Sequence, residues 1–363
     1  MKIAVQNITT FKVAAVYIGT VVGAGFATGQ EVLQFFSFFG LTGFIALLLA
    51  TTLFVFFGMI ILELGRRLGA DSHREIIQYA AGPWLGKVID GIITFFLFGA
   101  LTAMAAGAGA IFTEQFGLPH LMGSLVLVVA TLITVLIGIS GVISAISYVV
   151  PVLLLAVFGI AWATLTATPL DMGEVNRWAG ASRPAVPFWF LSAVVYVSYN
   201  LVLGVAVLAP MGKHIRDAKV IRKGALYGGI GLGLGALAIN LTLLANVPQV
   251  SGFEVPMVFI AAGISPLVQV VYSIVLLAEV YTTAVGSLYG FVERITDQGK
   301  PMFLWLVIGT GAAAFAAGQL GFSTLVRVLY PAVGYAGLLM LGGLFYGYVK
   351  ERMVPSPAFK PRE

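Results

Sequence analysis

The chain has 363 residues, of which 60% are hydrophobic and only 10% charged, against roughly 45–50% and about 25% in soluble domains. A water-soluble fold of this size cannot hide so much apolar surface, so the solvent is lipid, and soluble enzymes, nucleic-acid binders and secreted scaffolds are excluded. The net charge of +5 reads as loop lysine and arginine, and the absence of cysteine removes disulfides, thiol nucleophiles, iron–sulfur clusters and Cys-based zinc sites.

Apolar runs bounded by charges, prolines or glycines predict spans at 11–38, 41–65, 86–113, 121–140, 142–168, 187–210, 222–247, 266–292, 302–320 and 324–349, ten in all. Each is predicted to be a helix, because an isolated apolar stretch can satisfy its backbone in lipid only that way. The runs do not alternate in polarity as barrel strands would. No cleavable signal peptide is expected, since the apolar stretch after Lys12 lacks a small-residue cleavage pattern and continues for a full span. The whole of 1–363 reads as a single membrane domain in partnership with a lipid bilayer.

Loop charge sets the orientation. With the N-terminus inside, seventeen of the 20 basic residues fall on the cytoplasmic side, and Arg177, Arg183 and Arg327 are left outside. Both termini are then cytoplasmic. Trp178 and Trp189 flank the long outer loop as an aromatic belt. Three connections look structured. Residues 70–85 read as a cytoplasmic interfacial helix, 169–185 form a polar, proline-containing stretch, and 252–266 read as an outer re-entrant or lid helix.

Span 1 carries GTVVGAGFATG at 19–29, with Gly19, Gly23, Gly25 and Gly29, followed at once by Gln30 and Glu31. Small-xxx-small spacing can serve close helix packing. A broken helix explains the combination better, because unwound carbonyls would face a cation and the second half-helix would aim free N–H groups at an anion. Span 6 holds YVSYNLVLG at 196–204, with Ser198 and Asn200 at mid-membrane depth and Gly204 and Pro210 as weak points. Span 7 adds Asn240. In span 8, Glu279, Thr282 and Thr283 stand at i, i+3 and i+4 and share one face, a plausible hard-cation site. The hydroxyls can instead bond back to their own helix.

Ionisable groups inside spans are functional candidates by default. Glu31 and Glu279 are the two left once helix-end charges are removed, and no lysine or arginine lies deep in a span. A mobile cation or a proton would complete such a site. A protonated glutamic acid in a helix interface is the alternative.

Ten spans divide as five plus five, about 11–168 and 187–349. The second half is inverted, and spans 1 and 6 begin the two halves. Corresponding interrupted helices point to a substrate site. Here the residues resemble a known family. VYIGTVVGAGFATGQEVLQFF at 16–36 is similar to the first span of a family of bacterial amino-acid permeases within the amino acid–polyamine–organocation superfamily, and the resemblance is most specific over 16–36 and 194–212.

The resemblance implies an all-α LeuT-type fold with inverted five-helix repeats, discontinuous helices 1 and 6, and alternating access. It also implies roles. Gly19 and Val22 would offer carbonyls to sodium together with the hydroxyls of Thr282 and Thr283. Gly23, Ala24 and Gly25 would face a substrate carboxylate, with Thr28, Tyr196, Ser198 and Asn200 nearby and Asn240 at a second cation site. The sequence departs from the family at Glu279, where a small residue is usual. Glu279 would strengthen sodium binding, replace sodium with a proton, or contact a cationic substrate. Glu31 and Arg327 would form an outer gate with the charges exchanged.

The expected function is therefore cation-coupled symport, by sodium or a proton, of a small amino acid or related amine. The expected setting is a bacterial inner membrane, with the chain a monomer or weak dimer. No covalent cofactor is expected, and neither is a nucleic-acid partner. A nutrient-sensing receptor or an uncoupled facilitator on the same fold is the alternative. Enzyme function is not expected: no membrane-depth aspartate dyad and no ATP-binding loop is present.

Overall fold

The computed structural model describes residues 8–137, 140–296 and 300–353. The chain ends, with Lys2, Lys360 and Arg362 of the charge count, lie outside the described residues. Every span forms a helix. The first is divided into α1 (Thr10–Val21), α2 (Ala24–Thr28) and α3 (Gln30–Phe35). There follow α4 (Leu41–Leu68), α5 (His73–Phe116), α6 (His120–Ile137), α7 (Ser140–Ala167), α8 (Met172–Ala181) and α9 (Trp189–Lys213). The chain continues with α10 (Ala218–Leu244), α11 (Pro256–Ile264), α12 (Pro266–Glu293), α13 (Pro301–Gly318) and α14 (Phe322–Met353). Among the described residues nine helices are long and apolar enough to cross a bilayer, and the divided first segment supplies the tenth.

Local chemistry explains the ends. α4 stops at Gly69, in the left-handed region at φ 60°, with Arg66 and Arg67 in its last turn where the helix dipole favours cations. The Asp171 side chain caps α8 by accepting from the N–H groups of Gly173 and Glu174 at 2.8 and 3.2 Å. The Ser265 hydroxyl accepts from Val268 N at 3.2 Å to start α12. Within α5, Gly82 takes φ 80° and ψ 170° just before Pro83. That kink separates a short first helix from the third span, so a helix is present where 70–85 predicted one. A short helix, α11, is also present within 252–266.

The helices pack in two groups. α1, α4, α9 and α10 form one, and α5, α6, α12 and α13 form the other. α14 lies against α5 and α9, and α7 against α12 and α10. Exchanging each span with the one five places on maps these contacts onto one another. Thus α4 on α9 becomes α10 on α1, and α14 on α5 becomes α7 on α12. This is the packing signature of an inverted repeat. α4 and α9 meet backbone to backbone: a Cβ at Gly65 would strike the Ala209 carbonyl, and one at Gly212 the Leu62 carbonyl.

One expectation fails. α9 runs unbroken from Trp189 to Lys213, so the sixth span is not discontinuous. Its Ser198 and Asn200 side chains are satisfied without unwinding. Asn200 Nδ2 donates to Tyr196 O of its own helix at 3.0 Å, and Ser198 Oγ donates to Gly334 O on α14 at 2.8 Å. Pro210 falls in the final turn, where a missing N–H costs little helix beyond it.

Candidate functional site

The first span breaks where its glycines predicted. After Val21 the backbone turns extended, at φ −69°, ψ 108° for Val22 and φ −125°, ψ −174° for Gly23, and α2 starts with no side-chain cap. A second joint follows at Gly29, left-handed at φ 83°. The Thr28 hydroxyl braces that joint, donating to Gly25 O at 2.9 Å and accepting from Gln30 N at 3.3 Å. Two other elements lean on it. A Cβ at Gly29 would come within 2.8 Å of Met257 on α11, and the Tyr272 hydroxyl of α12 donates to Ala27 O at 2.5 Å.

Glu31 lies inside this arrangement. Its side chain is buried, its Oε2 accepts from the Tyr199 hydroxyl at 2.5 Å, and a Cβ at Gly25 would overlap its carboxyl. Tyr199 sits among the rings of Tyr330, Tyr196, Phe35 and Phe96, with centroids 5.1–6.0 Å away. The Tyr196 hydroxyl is buried with no hydrogen-bond partner. The expected gate pair is therefore not formed. Among the described residues Glu31 has no basic partner, and Arg327 stands exposed on α14. The left-handed Gly29 resets the helical phase, so α3 turns Glu31 inward toward α9.

On α12, Tyr272 and Glu279 are two turns apart on one stripe. The stripe that touches α2 through Tyr272 thus carries Glu279, itself 2% exposed, toward the level of the break. The Glu279 Oε2 atom is buried with no hydrogen-bond partner, and Thr283 stands one turn on at i+4. Thr282 Oγ1 donates to Glu279 O at 3.1 Å. A Cβ at Gly19 would meet the Val150 side chain of α7 at 3.7 Å, and α7 packs on both α1 and α12. Among the described residues no group of three His, Cys, Asp or Glu side chains could hold a metal. An alkali cation here would use carbonyl, hydroxyl and carboxylate oxygens.

Three sequence candidates sit elsewhere. Ser198 belongs to the α9–α14 seam, and the Asn200 amide closes on its own helix. Asn240 Oδ1 accepts from the Ser37 hydroxyl at 2.7 Å, beyond the second joint, and its Nδ2 is buried without a partner. Gly25 lies against Glu31, Thr28 is bonded to Gly25, and Tyr196 packs on the Tyr199 ring that holds Glu31, while Gly23 and Ala24 form the start of α2. Tyr199, Tyr272, Gln30 and Gln34 were missed; the tyrosine spacing in YVSYN was the available signal for the first.

The two ends of the molecule differ. At the basic end Asp90 bonds Arg294 at 2.6 Å, Arg74 at 3.0 Å and His73 at 3.3 Å, and Lys213 pairs with Asp71. At the opposite end carboxylates hold backbone instead. Glu114 accepts from Glu254 N and Val255 N at 2.7 and 3.1 Å, and Glu254 accepts from Phe322 N and Ser323 N at 3.2 and 3.4 Å. These bonds tie the α11 lid to the ends of α5 and α14. Beside them opens a cavity of about 460 Å³ lined in part by Gln30, Gln34, Trp178, Arg183 and Arg327.

No protein-family model matches the chain. Among solved structures it is similar to Mhp1 in an inward-facing conformation, with a TM-score of 0.68, 15% identity, and 97% of this chain and 79% of that one covered. It is also similar to MhsT in complex with L-phenylalanine, with a TM-score of 0.65, 17% identity, and 95% and 89% covered. The fold is thus the all-helical LeuT type. The chain is further 32% identical over 337 residues to the uncharacterized membrane protein YkvI of Bacillus subtilis (strain 168), spanning 92% of this chain and 94% of the relative. It belongs to the YkvI family of multi-pass membrane proteins.

Proposed function

We propose that the chain is a secondary active transporter that carries a small amino acid or related amine with sodium or a proton, by alternating access. The observation that carries this reading is the interrupted first span with two buried carboxylates, Glu31 and Glu279, neither of which has a fixed basic partner among the described residues. A charge buried without a counter-charge is costly. Exchangeable cations, arriving and leaving with transport, relieve that cost. Glu31 at Gly25 lies where a substrate amine would neutralise it. Glu279, with Thr283 and the carbonyls of Gly19 and Val22, is assigned to the coupling ion. The basic end is assigned to the cytoplasm, with both termini there, in the inner membrane of a bacterium.

Support comes also from the solved neighbours, since Mhp1 is described as a nucleobase-cation-symport-1 family transporter, and from the resemblance of 16–36 to amino-acid permeases. The test is isotope uptake by the purified chain in liposomes under imposed sodium or pH gradients, across amino acids and amines. Accumulation against a gradient is expected, and none with any compound ends the reading. Glu279→Gln removes pH dependence if the proton couples, and Thr283→Ala removes sodium dependence if sodium does. An uptake that keeps both dependences in both variants removes Glu279 and Thr283 from the coupling site.

A further inference from the structure

The charge bias of the loops leaves three arginines on the outer face, against the trend that puts basic residues inside. Two of them, Arg183 and Arg327, line the same cavity of about 460 Å³. They reach it from different elements, Arg183 from the connection between α8 and α9 and Arg327 from the second turn of α14. No Asp or Glu is among the lining residues, and neither arginine has an ion-pair partner among the described residues. Two guanidiniums of like charge are held at one opening with nothing to neutralise them.

The deeper wall has the opposite chemistry. Gln30 and Gln34 stand at i and i+4 on α3, are 2% and 6% exposed, and both line the cavity. The carbonyl oxygen of each is buried with no hydrogen-bond partner. An unmade bond to a buried acceptor is costly, and two on one wall call for a donor. Between them on the same helix, next to Gln30, is the buried Glu31.

We infer that this cavity is a second binding site, outside the break, for the head group of a zwitterion. Arg183 and Arg327 hold its carboxylate, and the Gln30 and Gln34 carbonyls accept from its ammonium. The complementarity excludes the simpler ligands. A plain anion satisfies the arginines but presses on carbonyl oxygens with a carboxylate behind them. A plain organic cation satisfies the glutamines but must pass two guanidiniums. The volume suits a small molecule, and Trp178 and Phe38 supply apolar wall for its remainder. As to transport, the inference rests on the reading above: the site would present the ammonium toward Glu31 before the substrate descends.

Trp178 makes occupancy visible. Leucine, phenylalanine and serine are titrated into the full chain in nanodiscs, each beside its decarboxylated amine and its deaminated acid, with tryptophan fluorescence as readout. At least one amino acid is expected to give a saturable change that disappears in Trp178→Phe, with its amine and acid at least about tenfold weaker. Arg183→Gln with Arg327→Gln should weaken the amino acid about tenfold or more and leave the amine unchanged, because a guanidinium–carboxylate bond is charge-assisted. Arg177→Gln, at the third outer arginine, should change nothing. The inference is overturned if an amine or acid binds as tightly as its amino acid, if the double variant binds unchanged, or if no Trp178-dependent signal appears with any compound. Binding without gradient-driven accumulation keeps this site and ends the transport reading. Accumulation with an unchanged KM in the double variant does the reverse.

Discussion

The inverted repeat puts the first and sixth spans in corresponding positions, yet one is cut twice and the other is a continuous helix of 25 residues. Both were expected to break. The difference shows what breaks a membrane helix. GTVVGAGFATG holds four glycines in eleven residues, so its backbone is free to leave the helix at more than one point. The sixth span holds a single glycine between Tyr196 and Pro210, and its Ser198 and Asn200 side chains find carbonyls on α14 and on their own helix. Mid-membrane polarity is thus not enough. The broken span differs from the sixth in a backbone free to turn, four glycines against one.

The contrast is broken or kept most decisively by two alanine substitutions. Gly25→Ala drives a methyl into the Glu31 carboxyl. It is expected to cost about 1–3 kcal/mol as overpacking and to abolish uptake in liposomes. Gly204→Ala in the sixth span meets only Leu201 at 3.5 Å and Leu208 at 3.9 Å. It is expected to keep uptake and to gain about 0.5–1 kcal/mol in helix propensity, read as a higher melting temperature. Equal losses from the two would show that both spans must flex at their glycines.

Much of this was legible in the chain itself. Lipid allows only helices, so the span count, a separate helix before the third span and the short α11 follow from apolar runs and from where they are interrupted. The break at Val22–Gly23 was legible for the same reason. The direction of Glu31 was not. Reading a face from spacing assumes 100° per residue, and the left-handed Gly29 discards that phase between Thr28 and Gln30. Nor could spacing supply partners from distant helices, such as Tyr199 for Glu31, Gly334 for Ser198 or Ser37 for Asn240. Those pairings exist only once the bundle packs.

If the first span is the working one, its carboxylate must matter more to uptake than to stability. Glu31→Gln keeps the shape and removes a buried titratable group without a basic partner among the described residues. Gradient-driven uptake is expected to vanish while the melting temperature holds or rises. Tyr199→Phe leaves the carboxylate without its 2.5 Å hydrogen bond, a charge-assisted bond worth about 1.5–3 kcal/mol. A rise in substrate KM of about tenfold or more is the expected outcome. Unchanged KM in both variants would place the substrate away from Gly25. Thr28→Ala, which removes the brace across the second joint, should act next most strongly, lowering the uptake rate more than the affinity.

The smallest effect belongs to the sixth span and sharpens the comparison from the other side. Ser198 was a substrate candidate by depth, but its hydroxyl is spent on the Gly334 carbonyl at 2.8 Å, in a seam so close that a Cβ at Gly337 would lie 2.6 Å from it. Interhelical bonds of this kind inside membranes average about 0.6 kcal/mol, because the separated helices also find partners. Ser198→Ala should therefore lower the melting temperature slightly and leave KM unchanged for every transported compound. A selective change in KM for one compound would mean that the hydroxyl leaves Gly334 during the transport cycle. The sixth span would then contribute a side chain to the site after all, and its continuity would describe one state of the molecule rather than its role.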